Sequence, residues 1–330
     1  MRRRRFITLV GGAAATWPLV ARAQHADRMR RVSVLLGVAE KDPEAINRVK
    51  AFRLGMRDLG WIEGRNVQID YRFAGTDLES IDKNVAEVVQ LAPDVIVANS
   101  SAAMAALRPT TRTIPIVFAV VSDPVGQGFI SNLAHPGGNV TGFSFIETDM
   151  VGKWLNLLRD VKPNLSRVVL MFNPDTAPYF DAYLRSFKAL PQQTSVEVEA
   201  VHVRSVGDVE LAVAKLGPEP GSGLIAAADA FVIAARGVIL KAADQHRVPV
   251  ISPYRQFVIE GSLMSYGPDT ADIFRRSASY VDRVLKGEPP GNLPAQSPVK
   301  FELVVSLKTA KALGLSPSES FLLLADEVIE

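Results

Sequence analysis

At 330 residues, 48% of them hydrophobic, the chain is long enough for about two domains, and its ordinary charged and aromatic content excludes a disordered protein. It has no cysteine, which excludes disulfides, thiolate metal sites and cysteine nucleophiles together. The formal charge of +2 belongs to residues 1–23, which carry five arginines and no acid; the remainder has 32 basic against 35 acidic residues, a net of −3, and gives no electrostatic case for nucleic-acid binding.

Residues 1–23, MRRRRFITLVGGAAATWPLVARA, predict an export signal: arginines, an apolar run from Phe6 to Val20, and a small-x-small pattern at Ala21-Arg22-Ala23. The run is short for a membrane span and is interrupted by Gly11, Gly12 and Pro18. Arg3-Arg4-Arg5-Phe6-Ile7 fits the twin-arginine pattern, with an ordinary Sec signal as the alternative. Either route places the protein in the periplasm.

The elements then alternate. A strand at 31–36 precedes a helix at 43–59, with Ile46, Val49, Phe52, Met56 and Leu59 at three- and four-residue spacing. Pro43 suits its first turn and Gly60 its end. A strand (67–73), a helix (78–91), a strand (94–98), a helix from Ser101 and a strand (116–121) follow. A sharp turn at Ser122-Asp123-Pro124, a short helix, a Pro-Gly-Gly stop and a strand from Val140 complete this series. Strands apolar throughout, separated by helices, indicate a parallel sheet covered on both faces.

The pattern restarts with a helix carrying Met150, Trp154, Leu157 and Val161 on one face, then a strand at 167–172 and a helix at 179–190. Strand 196–203, helix 206–216, strand 224–228, helix 230–245 and strands 249–252 and 262–266 follow. A helix at 271–286 leads into the proline-rich connector 287–298, a strand at 301–305, a helix at 306–313 and a tail. The order implies an α/β protein of two Rossmann-like lobes, with the late strap carrying the chain between them again.

No catalytic or metal constellation is legible. His25, His135, His202 and His246 have no ligand-type partners at helical spacing, and no nucleophile elbow, zinc or phosphate-loop motif occurs. Gly126-Gln127-Gly128 lacks a third glycine at Ser131, so the dinucleotide fingerprint fails. No cofactor and no metal is expected. Attention falls on loops at strand carboxyl ends, where open α/β sheets bind ligands. Asn99, Ser100 and Ser101 open a helix, whose free N–H groups and dipole make a carboxylate site. Val121, Ser122 and Asp123 follow the next strand, Asp123 doubling as a helix cap before Pro124. In the second series the counterparts are Asn173, Asp229, Tyr254 and Tyr266. Asp229 is either a helix cap or the partner of a ligand ammonium. Tyr254, Tyr266 and Phe143 are candidates to wall an apolar ligand, with a core role as the alternative for Phe143.

Three stretches carry a family likeness: IPIVFAVVSDPVGQGFISNLAHPGGNVTGFS (114–144), GSLMSYGPDTADIFRRSASYVDRVLKGEPPGNLPAQSPVKFELVVSLKTAKALGL (261–315) and ADEVIE (325–330). Through them the chain resembles the tryptophan/tyrosine-type ABC transporter substrate-binding family across nearly its whole exported length. The resemblance implies a type I periplasmic-binding-protein fold, parallel sheets joined by three hinge crossovers, and no enzymatic activity. It also implies delivery of a small solute, an amino acid of aromatic or branched kind in the first instance, to a membrane permease and ATPase, with a monomer expected. By analogy with branched-chain amino-acid binders of this fold, Ser100/Ser101 and Val121/Ser122 match the carboxylate-holding positions, and Asp229 the ammonium-holding one, by strand order. Expected lobes are 31–144 plus 267–297, and 145–266 plus 298–330, with hinges at 142–145, 266–268 and 296–300. Two rivals stay open: an exported α/β hydrolase using Ser100 or Ser122 with His135 and Asp123, and a ligand-sensing domain of the same fold.

Overall fold

The computed structural model describes residues 28–189, 196–217 and 219–330. The expected export signal and His25 lie outside them. Strands β1 (Arg30–Leu36), β2 (Val67–Phe73), β3 (Val95–Asn99), β4 (Ile116–Val121) and β5 (Val140–Ser144) alternate with α1 (Pro43–Asp58), α2 (Leu78–Gln90) and α3 (Ser101–Thr110). Then come α4 (Met150–Val161), β6 (Arg167–Phe172), α5 (Tyr179–Ala189), β7 (Glu197–His202), α6 (Val206–Leu216), β8 (Ser222–Ala226), α7 (Ala230–Ala234) and α8 (Arg236–His246). The chain continues with β9 (Val250–Ser252), α9 (Arg255–Ile259), β10 (Met264–Pro268), α10 (Thr270–Leu285), β11 (Phe301–Ser306), α11 (Leu307–Ala312), α12 (Glu319–Leu322) and β12 (Glu327–Ile329).

Two sheets result. The first, ordered β2-β1-β3-β4-β5, is parallel throughout. The second, β12-β11-β10-β9-β8-β6-β7, is parallel except where β11 runs against β10, Pro268 opposite Phe301. That reversal follows from the path. The chain leaves the second sheet at the end of β10, makes α10 against the first sheet, and re-enters at the edge it left. The tail is not loose: it forms α12 and pairs β12 with β11. Among the described residues no helix is long and apolar enough to cross a membrane.

Burial explains the elements. The strands β3, β4 and β5 are buried at every position, as apolar runs covered on both faces must be. In α1 the buried stripe is Glu44, Ala45, Arg48, Phe52, Gly55 and Met56, rotated from the predicted one; Ile46 is 55% exposed and Leu59 40%. Against that stripe lies α10, so close that a Cβ on Gly55 would stand 2.6 Å from the Arg275 carbonyl oxygen. Trp61 Nε1 donates to Asp282 Oδ1 at 2.9 Å, tying the turn after α1 to the same helix.

Two further predicted elements differ. No helix follows Pro124: Asp123 Oδ1 accepts from the Gly126 N–H at 2.8 Å, the Gln127 N–H donates to the Asp123 carbonyl at 3.0 Å to close one turn, and Gly128, at φ 71°, ends it. The predicted helix 230–245 is broken at Ala235, and the Ile233 carbonyl freed there accepts from Arg236 Nη1 at 3.2 Å.

The chain passes between sheets three times, and the passages are bonded to one another. Ser144 N donates to the Gln296 carbonyl at 2.8 Å, and Gln296 N to the Gly142 carbonyl at 2.9 Å. Trp154 Nε1, from α4, donates to the Tyr266 carbonyl at 2.7 Å. Phe143 packs on Tyr280 with ring centroids 4.8 Å apart, in the core rather than at a ligand wall.

Candidate functional site

The carboxyl ends of both sheets meet at one cavity. From the first side come Gly37 and Val38 after β1, Asn99, Ser100 and Ser101 after β3, Val120 and Ser122 at the end of β4, and Arg48 from α1. From the second come Thr176 and Tyr179 after β6, Ala228, Ala230 and Ile233 after β8, and Tyr254 after β9, with Phe145 between. About 370 Å³ of atom-free space lies among them. Larger hollows exist, with about 950 Å³ of atom-free space behind Tyr254 and about 1310 Å³ between α1 and the edge strand β2. Neither gathers the strand-end loops of both sheets, which makes the central cavity the candidate site despite its size.

The first-side loops are held in strained form. Ser100, at φ 88° and ψ 151°, caps α3 by accepting from the Ala103 N–H at 3.2 Å. The next two N–H groups, of Ser101 and Ala102, have no acceptor within a helix and belong to the dipole's positive end. Any side chain on Gly37 would run into Ser100, its Cβ 2.6 Å from Oγ, which fixes a glycine where two loops cross. Val120 has φ 60°, an outlier for a β-branched residue, at a bulge where the β4–β5 register shifts between Ala119 and Val121. The bulge turns Val120 to the cavity and Val121 into the core, reversing the expectation that placed Val121 at the rim.

Arg48 is 1% exposed and extends the site from beneath. Its Nη2 donates to Glu44 Oε2 at 2.8 Å and its Nη1 to Asn99 Oδ1 at 3.2 Å, while Nε has no partner among the described residues. Its guanidinium carbon stands 5.8 Å from the centre of the Tyr254 ring, whose other neighbour is Phe145, stacked at 5.3 Å and 17°. Ser101 Oγ and the Ser122 carbonyl both accept from Gln127 Nε2, at 3.1 and 2.5 Å.

On the second side, Tyr179 donates to the Ala228 carbonyl at 2.7 Å. Burial pushes its phenol up; the neighbouring hydroxyls of Ser122 and Ser101, across the cleft, partly offset that while the Asp229 charge adds to it. Burial also raises Tyr254. Asp229, 2% exposed, does not line the cavity: Oδ2 accepts from Asn173 N at 2.8 Å, and Oδ1 from the Thr176 hydroxyl at 2.5 Å and Phe231 N at 3.2 Å. Desolvation pushes its carboxyl up to about 6 against those bonds.

Of the ten residues expected from sequence, Asn99, Ser100, Ser101, Ser122 and Tyr254 line the cavity. Asn173 and Asp229 stand behind it, bonded to each other; Asp123 is occupied with its turn. Tyr266 is in β10, its ring stacked on Phe301 at 5.8 Å, and belongs to a crossover instead. Sequence reasoning missed Arg48, Tyr179 and Phe145. The signal for Arg48 was present, since it falls on the spacing of the Ala45–Phe52–Met56 stripe. None of His135, His202 and His246 lines the cavity; His202 Nε2 lies 3.0 Å from Asp181 Oδ1, exposed. Among the described residues no group of three His, Asp or Glu is placed to hold a metal ion.

Two parallel-dominated α/β sheets, joined by three crossovers and facing one cavity with their strand-end loops, define a solute-binding protein of the type I periplasmic-binding-protein fold. The comparisons agree. The family model described as ABC transporter substrate binding protein matches residues 33–329, and the chain belongs to that family, one of binding proteins rather than enzymes. It is 23% identical over 290 residues to a tyrosine-binding protein of Clostridioides difficile (strain R20291), covering 88% of this chain and 83% of that one. Among solved structures, a conserved domain protein from Vibrio cholerae superposes with a TM-score of 0.84 at 27% identity, covering 91% of this chain and all 100% of the other. An ABC domain from Streptococcus pneumonia in complex with L-Trp also gives 0.84, at 22% identity, covering 92% and 100%. The ligand-free, open structure of a substrate binding protein with adhesive properties from Clostridium difficile gives 0.66 at 22% identity, covering 91% and 99%.

Proposed function

We propose that the protein is the exported receptor of an ABC importer, holding a small carboxylate-bearing solute between its lobes and presenting it to a membrane permease and ATPase. The observation that carries this reading is the cavity itself, assembled from both sheets and closed by contacts that cross between them. The names of the relatives, tyrosine-binding and complexed with L-Trp, put the ligand in the size class of an amino acid. The higher superposition on a liganded than on an open, ligand-free relative supports a closed state. In this reading residues 1–23 are the export signal, the protein works in the periplasm as a monomer, and the lobes are 31–144 with 267–297 and 145–266 with 298–330.

Carboxylate recognition falls to the α3 N-terminus and the serines around it, and closure about the three crossovers excludes water, so that each charged hydrogen bond contributes about 1.5–3 kcal/mol. The permease reads closure, and closure reads the ligand's differential affinity for the two states. A thermal-shift screen of the purified protein against amino acids and small organic acids tests the reading. A ligand at about a hundred times its Kd adds about 2.7 kcal/mol of stability. That stabilisation should be lost in Ser101→Ala and Ser122→Ala; a ligand held equally well by both variants would move the site elsewhere.

A further inference from the structure

We infer that the cavity selects a carboxylate without an α-ammonium group: a small deaminated organic acid, in contrast to the amino acids of the named relatives. The inference rests on the proposed reading that this cavity is the ligand site.

Donors are in surplus. The N–H groups of Ser101 and Ala102 head a ten-residue helix, α3, with no partner inside it. Ser100 Oγ accepts from Ala103 and Ser101 Oγ from Gln127, which leaves both hydroxyl hydrogens to give. Ser122 adds a third hydroxyl. Arg48, buried and on the lining, keeps an unpartnered Nε. A carboxylate at this place would receive several of these at once and meet the helix dipole with the right sign.

Charged acceptors are missing: among the described residues no carboxylate lines the cavity, and beside the serines the phenol oxygens of Tyr179 and Tyr254 remain to accept. Asn99 Oδ1 takes Arg48, the Ser122 carbonyl takes Gln127, and the Ala228 carbonyl takes Tyr179. Glu44, off the lining, takes Arg48 and Thr270 on its Oε2. Asp229, the acid that strand order assigns to an ammonium, stands off the lining with both oxygens engaged. The Tyr254 ring, which would otherwise attract a cation, already has the Arg48 guanidinium 5.8 Å from its centre. An ammonium buried here finds hydroxyl lone pairs and no opposite charge on the lining, so its desolvation is only partly compensated. The second side of the cavity, with Ile233, Ala228, Ala230, Phe145 and the Tyr254 ring, suits an apolar body instead.

The test uses matched pairs with one carbon skeleton, titrated calorimetrically into the full chain: L-phenylalanine against 3-phenylpropionate and phenylpyruvate, L-leucine against 4-methylpentanoate and 4-methyl-2-oxopentanoate. The expected result is binding of a deaminated member at least about ten-fold tighter than its amino acid, weakened in Ser101→Ala and Ser122→Ala. An amino acid that binds as tightly as its deaminated partner, and loses affinity in those variants, overturns the inference and leaves the site standing. Binding indifferent to both variants, or none by any member, overturns the inference together with the site.

Discussion

In the proposed reading, one ion pair that crosses the cleft favours closure, and its removal can be designed cleanly. Arg236, at the break after α7, reaches Asp42 Oδ2 at 3.5 Å while its Nε holds Glu260 at 2.8 Å. Asp42 uses its other oxygen to cap α1 through Glu44 N at 2.8 Å. Both side chains are nearly enclosed, 8% and 12% exposed. At that separation the attraction is about 5 kcal/mol for an effective dielectric near 20, most of it cancelled by lost hydration, leaving about 1 kcal/mol in favour of closure. Asp42→Asn keeps the cap, because asparagine caps as well as aspartate, and leaves Arg236 paired to Glu260. The closed-to-open ratio should therefore fall about five-fold, and the apparent affinity for a ligand that needs closure should fall with it. The absence of native cysteine allows spin labels at Ile46→Cys and Leu211→Cys, 55% and 64% exposed on opposite sides of the cleft, and distance distributions by pulsed electron resonance. An unchanged distribution in Asp42→Asn, at low and at high salt, would refute the latch; so would a further shift when Arg236→Gln is added.

Three other perturbations are sharp enough to measure. Gly142, at φ 154°, lies flat against the Phe118 backbone; Gly142→Ala should cost about 2–3 kcal/mol in urea unfolding, and a neutral variant would contradict the close approach. Asp229 has a folded pKa of about 6, above an unfolded value near 4. The folded state thus binds this proton more tightly, so the contribution is fully present below about pH 4 and lost as pH rises through about 6, roughly 3 kcal/mol in all. Wild type should lose about that amount of stability relative to Asp229→Asn as pH rises across that window, and a pH-independent difference would show the shift to be absent. Trp154→Phe removes the 2.7 Å bond to the Tyr266 carbonyl and should lower stability by about 2 kcal/mol in the same unfolding assay.

Much of the fold was legible because parallel strands buried on both faces read as unbroken apolar runs. β2 and β6 fall at the predicted residues, and the restart after Phe145 marks the second sheet. The rotated stripe of α1 was not legible: Ile46 and Leu59 look like core by hydropathy, while the structure buries Glu44 and Arg48 as a bonded pair. Propensity gave no warning either that Asp123-Pro124, a strong helix opening, would stop after one turn. Glycines at 126 and 128 undo it, the second by adopting a positive φ that ends the turn. The antiparallel β11 depends on where the chain re-enters a sheet, which is a property of the path rather than of any local run.

At the cavity the division is the same. The serines at strand ends were readable because any parallel strand delivers its next residues to the carboxyl edge, whatever their neighbours. Arg48, Tyr179 and Val120 reach the cavity by tertiary routes: a helix face, a turn that leads into α5, and a bulge. The bulge matters most, since a one-residue slip exchanges the faces of Val120 and Val121 and no alternation rule contains it. Among the described residues five non-glycines have positive φ, and three of them, Ser100, Val120 and Asp123, stand on the two loops that bring donors to the cavity. Backbone held in such regions costs about 1–3 kcal/mol each and persists where the surroundings over-determine it. Here the surroundings are the α3 cap, the β4–β5 register shift and the Asp123 turn. Together they bring the three serines and the start of α3 to one cavity, a placement that depends on backbone conformations relaxed loops would not hold.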